Sequence, residues 1–380
     1  METNAETGME IQWMQPEDLP AGVLKDFCRV FASQPVSELI GNVETEFRML
    51  GISEDICFPV SINNAEWDNS YVCSPYTAYV PYANDEVSRK ITRKPVRWLL
   101  HALIKSVSEW LKSAEINKNV HVNNFLLSTN PYPEWSGAQI QAVTGFLTRQ
   151  YPGHALIFRS LNVRQHAHLL DKFSENNYLL VGSRQVYLYD EPFAGWIKRN
   201  NNKQDRRIVR NKKLRYLDHD AMRGHLEQAW HLYNLLYLEK YSRHNPQFTL
   251  AYFRQMHHSK TMYFQGYADA GNQLKAFAGL FTPGNTITSP LVGYDTAAPP
   301  KECLYIHAIQ LIFDHKYRTG KPLNLSSGAA GFKRLRGGVP SVEYSAVYVA
   351  HLKPHRQRVF KVLAFLTNRI GVPLLEKHKL

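Results

Sequence analysis

Leu304-Tyr305-Ile306-His307-Ala308-Ile309-Gln310-Leu311-Ile312-Phe313-Asp314-His315-Lys316-Tyr317-Arg318-Thr319-Gly320-Lys321-Pro322-Leu323-Asn324-Leu325 decides the fold. Apolar residues at helical spacing run from Leu304 to Tyr317, Thr319-Gly320 is a C-terminal stop, and Pro322 to Leu325 is a short buried strand. Working outward, Thr261 to Tyr267, Leu274 to Thr282 and Asn285 to Val292 read as strands. Turns at 268–272 and at Pro283-Gly284-Asn285 separate them, the second of hairpin type. Helices from Gly224 to Arg243 and Phe248 to His257 precede them. A strand from Val342 to Ala350 and an amphipathic helix from Arg356 to Ile370 follow. Strands that alternate with helices across short turns predict an α/β layer.

The first half repeats this alternation less regularly. Leu24 to Phe31 predicts a helix, and Asn42 to Leu50 a strand or short helix. Ile56 to Val60, Tyr71 to Cys73 and the aromatic-rich Tyr76 to Tyr82 predict strands. Lys94 to Lys112 predicts an amphipathic helix with Val96, Leu99, Leu100, Leu103, Ile104, Val107 and Trp110 on one face. His121 to Ser128, His154 to Arg159 and Tyr178 to Tyr189 predict strands, the last interrupted at Gly182; 137–151 and 163–173 predict helices. Residues 196–216 carry nine cations against Asp205, with Asn200-Asn201-Asn202 inside, and mark the boundary between halves. The expected division is 1–197, a basic connecting segment 198–222, and 223–380.

A chain of 380 residues with 44% hydrophobic residues can bury a core and fits two domains of ordinary size. Cys28, Cys57, Cys73 and Cys303 form no CxxC pair, which disfavours a disulfide scaffold or a zinc site. Met1 to Glu10 is polar, unlike a secretory or transit peptide, and no stretch approaches the roughly 18 apolar residues of a membrane span. A cytoplasmic protein with no metal, no tightly bound cofactor and no stable membrane insertion is expected. The net charge of +12 favours acidic partners: RNA, a nucleotide-bearing cosubstrate, an acidic carrier protein or an anionic membrane surface. A basic surface kept for solubility is the plainer alternative.

Chemistry concentrates in Ser326-Ser327-Gly328-Ala329-Ala330-Gly331-Phe332-Lys333-Arg334-Leu335-Arg336-Gly337-Gly338. Small residues admit an anion close to backbone N–H groups, and Lys333, Arg334 and Arg336 would neutralise it. Ser326, Ser327 and Gly328 supply short donors; a basic surface turn is the alternative. No GxSxG, HExxH, Walker or Rossmann pattern occurs, which argues against hydrolase, metalloprotease, NTPase and dehydrogenase chemistry.

The order of meandering strands, helix, strand, turn and strand resembles the core of the GNAT acyltransferases, and more closely their Fem-like branch. Three places carry the resemblance: Gly293-Tyr294-Asp295 with Leu304-Tyr305; Ser326-Ser327-Gly328 leading to Phe332-Lys333-Arg334 and Gly337-Gly338; and the basic stretch Arg206 to Arg215. It covers about 198–350. The resemblance implies an α/β (α+β) fold of two tandem GNAT-like lobes, each a mixed, mostly antiparallel sheet flanked by helices. It also implies an N-acyltransferase that moves an acyl or aminoacyl group from an activated ester or thioester onto an amine acceptor, in the biosynthesis of a cell-envelope component or specialised metabolite. Acyl-CoA, a carrier protein and aminoacyl-tRNA are the competing donors. Where GNAT enzymes hold the coenzyme A pyrophosphate on a glycine-rich loop, this chain has Gly293 to Pro300, with one glycine and two prolines that lack N–H donors. That departure shifts weight toward a macromolecular donor. A non-catalytic module that binds RNA or an acidic protein is the rival reading, and a homodimer is compatible with either.

The remaining candidates each carry two readings. Asp295 would orient or deprotonate an amine, or cap a turn. His307 is a base or, more in keeping with its apolar helix, a hydrogen-bonded core histidine. Glu343 would hold the amine or pair with an arginine, and Tyr344 and Tyr305 would donate a proton or line a pocket, as would Tyr294. Tyr71, Tyr76, Tyr79 and Tyr82 line an acceptor cleft or pack in strands. Arg159 and Arg184, in apolar strands, each need a partner, and an ion pair is the favoured expectation. Arg206, Arg207, Arg210, Lys212 and Lys213 contact RNA or a carrier, or form a solvated helix face.

Overall fold

Twelve strands form one sheet in the computed structural model, which describes residues 11–90, 92–211 and 214–378. The N-terminal half supplies β1 (Gln12–Met14), β2 (Glu46–Ser53), β3 (Ile56–Asn63), β4 (Asn119–Val122), β5 (Ala155–Asn162) and β6 (Leu179–Tyr189). The C-terminal half supplies β7 (Arg215–Leu217), β8 (Met262–Ala268), β9 (Leu274–Phe281), β10 (Ile287–Tyr294), β11 (Leu323–Asn324) and β12 (Val339–Tyr348). Their spatial order is β1-β2-β3-β4-β5-β12-β6-β11-β10-β9-β8-β7.

That order is a palindrome. Each half has an antiparallel meander ending in one parallel pair, β4 with β5 and β10 with β11. Parallel neighbours require a crossover. The helices α6 (Ile140–Gln150) and α12 (Leu304–Thr319) provide it in matching places. The last strand of each half is exchanged: β12 lies between β5 and β6, and β6 lies between β12 and β11. β6 and β12 pair antiparallel from Val339↔Leu188 to Val347↔Leu179, so they bind the two lobes into one sheet. The two-lobed mixed α/β architecture expected from the sequence is present.

The α-helices, in chain order, are α1 (Val23–Ala32), α2 (Val36–Leu39), α3 (Pro75–Tyr79), α4 (Pro81–Lys90), α5 (Lys94–Ser113), α6, α7 (Val163–Glu175), α8 (Phe193–Trp196), α9 (Asn200–Asn211), α10 (Leu226–Tyr233), α11 (Leu250–His258), α12, α13 (Ala330–Leu335), α14 (Pro354–Leu366) and α15 (Val372–His378). Strand alternation sorts the sheet faces. Val120, Val122, Leu156 and Phe158 point to the α6 side, with Ile140, Val143 and Leu147. Ile157, Val181 and Val347 point to the other side, with Leu111, Val359, Phe360 and Leu363. On that second side the C-terminal half is closed by phenylalanines: Phe253, Phe264, Phe277 and Phe281 pack with Leu232 and Leu291.

Four local expectations change. Tyr71 to Cys73 is a turn and 75–90 is helical, not strands. The Ser74 side chain accepts from Thr77 N–H, and Pro75 and Pro81 each open a helix. The strand at 121–128 ends at Val122, because Asn123 and Leu126 adopt left-handed backbone and buried Asn124 and Asn130 side chains bond the following loop. Asn42 to Leu50 resolves into a turn followed by β2. The helix from 221 to 241 is 3-10 at its start and π-type over Asn234–Tyr241.

Candidate functional site

The glycine- and cation-rich motif is built inward. After β11 the chain turns through Ser326, Gly328 and Ala329, all with positive φ, into the short helix α13. Lys333 then folds back under this turn. Its ammonium donates to the carbonyls of Leu325 at 2.6 Å, Ser327 at 2.8 Å and Ser326 at 3.3 Å. An ammonium has three donors, so its hydrogen-bonding capacity is taken up by the loop it holds. Burial first, then neighbouring Arg184, pushes the Lys333 pKa down to about 7.

Arg336 is also buried. It forms a two-pronged pair with Asp205 of α9, with one prong at 2.8 Å, donates to the Phe332 carbonyl, and lies 3.3 Å over the Phe332 ring. Arg334 donates to the Tyr187 hydroxyl at 3.0 Å. Gly338 is there for contact rather than anion access. A Cβ would stand 2.7 Å from the Tyr189 hydroxyl, which donates to the Lys333 carbonyl. Lys333 and Arg336, expected with Arg334 to neutralise an anion, are instead engaged as internal struts. Asp205, the one acid of the basic run, is the strut's other end. Of the motif's candidates, Ser327 alone lines the cavity described below.

The second predicted group lies around the start of α12. Asp295 receives Lys275 at 3.2 Å and accepts from Ala297 N–H, the turn-forming reading of this residue. Tyr294 accepts from Lys240 at 2.8 Å and faces Tyr305, which packs on Phe332. His307 is fully buried and donates from Nδ1 to the Cys303 carbonyl at 3.0 Å, the core reading. The loop between β10 and α12 contains a 3-10 turn at Pro300–Glu302 and presents no glycine-rich cradle. Arg206 pairs with Asp314 at 3.0 Å, and Arg207 and Arg210 are exposed; Lys212 and Lys213 lie outside the described residues.

A cavity of about 320 Å³ opens on the other half of the molecule. Its floor is the second face of β4, β5, β12 and β6: His121, Ile157, Arg159, Val181, Arg184, Ser345 and Val347. Tyr79, Tyr82 and Glu86 wall it from α3 and α4, and Phe360, Leu363, Val372 and Leu375 from α14 and α15. Gly182 lets the C-terminal helices close over the sheet: a Cβ there would come within 2.5 Å of Val372, and its N–H donates to Asn368 Oδ1.

The polar end of this cavity is unevenly satisfied. Arg184 donates to Glu343 at 2.6 Å, to Thr129 and to the Ser128 carbonyl. Glu343 sits 3% exposed behind it and positions that guanidinium, while Tyr344 turns to the opposite core with Ala346. Arg159 donates to the Val72 carbonyl at 2.5 Å and has no carboxylate within salt-bridge distance among the described residues. Burial, then Arg184, lowers its pKa. His121 is 2% exposed, and its Nδ1 has no hydrogen-bond partner among the described residues. Burial, then Arg159, holds its pKa well below the usual value, so the imidazole is neutral. Burial lifts Tyr79 to about 12, against a smaller pull from Arg159, so it keeps its proton at neutral pH.

Sequence reading missed His121. A single histidine within an apolar strand carries no signal beyond its type, and the cavity it lines is assembled from segments more than 200 residues apart. Arg159 and Arg184 carried the only usable signal, a charge in an apolar strand. The tyrosine segment reaches the cavity as helix rather than strand.

No family model and no curated protein sequence matches the chain. Solved structures of similar fold include FemX, at 8% identity over 65% of this chain and 83% of that one, with a TM-score of 0.46. A tandem GNAT protein from the clavulanic acid biosynthesis pathway is 8% identical over 89% of this chain and 98% of that one, TM-score 0.38. The C-terminal domain of a lysylphosphatidylglycerol synthetase described in Agrobacterium fabrum is 14% identical over 60% and 76%, TM-score 0.43. Among the described residues, no helix is long and apolar enough to cross a membrane.

Proposed function

We propose that the protein is an N-acyltransferase and that the cavity on β4, β5, β6 and β12 is where transfer occurs. The sequence resemblance supplies the reaction class. The observation that carries the site is a neutral His121, its Nδ1 without a hydrogen-bond partner among the described residues, beside Arg159 in a cavity whose α14–α15 wall is mostly apolar. In this reading the amine nitrogen attacks the acyl carbonyl carbon, and His121 Nδ1 takes the proton it sheds. Arg159 stabilises the tetrahedral oxyanion. The carbon–sulfur or carbon–oxygen bond then breaks, and the Tyr79 hydroxyl protonates the leaving group. Proton transfer by a placed base contributes about 10²–10⁴-fold, and a preorganised donor at the oxyanion about 10²–10³-fold. The apolar wall from Phe360 to Leu375 suits an acyl chain or apolar side chain on one substrate.

Acyl-CoA, acyl carrier protein and aminoacyl-tRNA remain the proposed donors. The absence of a glycine-rich cradle before α12 favours the last two, and Lys203 and Arg207 on the exposed side of α9 would meet a phosphate backbone or an acidic carrier. The test is transfer to amine acceptors from each donor class, with wild type and His121→Asn. The expected result is a kcat loss of about 10²–10⁴-fold with little change in acceptor KM. Wild-type kcat in His121→Asn, or no transfer from any donor class, overturns the reading.

A further inference from the structure

Exposed large apolar side chains gather around the cavity rather than scattering. On α5, Val96, Leu99 and Leu103 fall at i, i+3 and i+7, with Trp98 beside them at 73% exposure. Along α14, the π-type turn Thr367–Gly371 and α15, Val362, Leu366, Ile370 and Leu374 recur every fourth residue, with Phe365 61% exposed. These are two helical stripes, and they are exposed although the opposite faces of the same helices are well packed. Ile104, Val107 and Trp110 of α5 join Val359, Phe360 and Leu363 of α14 in one core. Both stripes therefore rise from the sheet face that carries the cavity, one beyond its α4 wall and one along its α14–α15 wall.

The charge around the stripes is mostly positive. Arg89, Lys94 and Lys105 are exposed near the first, with Glu109 the only acid from 87 to 113. Lys353, Arg358, Lys361, Arg369 and Lys377 are exposed along the second, with Glu376 the only acid from 353 to 378. An apolar stripe bordered by cations is complementary to an interface with apolar chains beneath anionic headgroups. A second copy would press cations against cations, and a nucleic acid would have no use for rows of leucine and isoleucine.

We infer that α5 and the α14–α15 arm dock this protein on the surface of an anionic lipid bilayer. The helices lie in the interface without spanning it, and the cavity walls they flank are brought to the lipid. This goes beyond the acyl-transfer reading and does not rest on it, since the binding is measured without any substrate.

The experiment is co-sedimentation of the full chain with vesicles of phosphatidylcholine alone or with roughly one-third phosphatidylglycerol. The expected result is binding to the anionic vesicles, weakened by salt. Two triple variants, Trp98→Ser/Leu99→Ser/Leu103→Ser and Phe365→Ser/Ile370→Ser/Leu374→Ser, are expected to bind at least about tenfold more weakly while keeping the wild-type melting temperature, because they alter exposed positions. Lys361→Glu/Arg369→Glu is expected to weaken binding to anionic vesicles as well. No vesicle binding at low salt overturns the inference, as does wild-type binding by both triple variants. Lipid-free self-association that those variants abolish also overturns it, by assigning the surface to a second copy.

Discussion

Arg159, half-buried on β5, and Arg336, buried after α13, are guanidiniums near the inner strands, and they are used in opposite ways. Arg336 meets a carboxylate in a two-pronged pair and stacks on Phe332, so its charge is neutralised inside the protein. Arg159 meets one backbone carbonyl and faces a cavity beside a neutral histidine. The same contrast separates the two halves of the sheet. The C-terminal half is sealed by phenylalanines, and Lys333 there binds its own loop. The N-terminal half leaves its sheet face open under α3, α4, α14 and α15. The half with the conspicuous motif is thus the filled one, and the cavity lies on the other.

The comparison breaks most clearly if the two arginines behave alike. Arg336→Met leaves Asp205 buried without its partner, which costs about 3–5 kcal/mol. Its unfolding midpoint in denaturant should fall accordingly, and the double variant Arg336→Met/Asp205→Leu should recover much of the loss. Arg159→Met should lose little stability and most of the transfer activity. Equal stability losses in the two single variants, read by chemical denaturation, would remove the distinction between strut and site.

A smaller effect sharpens the reading of the motif. Lys333→Ala strips a donor from three carbonyls and leaves a void, a loss of about 2–3 kcal/mol. At temperatures where the variant is folded, its affinity for a donor should match wild type. A donor Kd raised more than about tenfold with unchanged stability would return Lys333 to the site.

How far these roles were visible in the chain depends on where each partner lies. The α12 helix, its Gly320 stop and β11 could be read locally, because periodicity and a glycine with φ +73 are local features. The palindromic strand order was not, since β12 reaches into the first half across more than 150 residues. Arg336 could not be told from a ligand-binding cation because its acid is 131 positions away, in a run that otherwise reads as basic. Tyr76 to Tyr82 was misread because aromatic alternation outweighed Ser74 and the two prolines, which set the backbone. His121 was silent because burial, not sequence context, makes it neutral.

The least of the expected effects concerns acid. His121 is held well below its usual pKa, and His154 is lowered to about 4 by burial, then by Lys118. Both are neutral in the folded chain at pH values where the unfolded chain is already protonated. The unfolded state therefore binds more protons, and stability falls as pH drops below about 6.5. It is fully present above that value and declines until the folded residues titrate. The slope per histidine is at most about 1.4 kcal/mol per pH unit. Melting temperatures recorded from pH 7.5 to 4.5 should decline below 6.5, and His154→Gln should flatten part of that decline. His121→Asn should flatten a further part and, unlike His154→Gln, should also lower kcat by about 10²–10⁴-fold at every pH. If both variants keep the wild-type slope, these imidazoles are not excluded from protonation by the fold, and the neutral base assigned to the N-terminal lobe loses its physical cause.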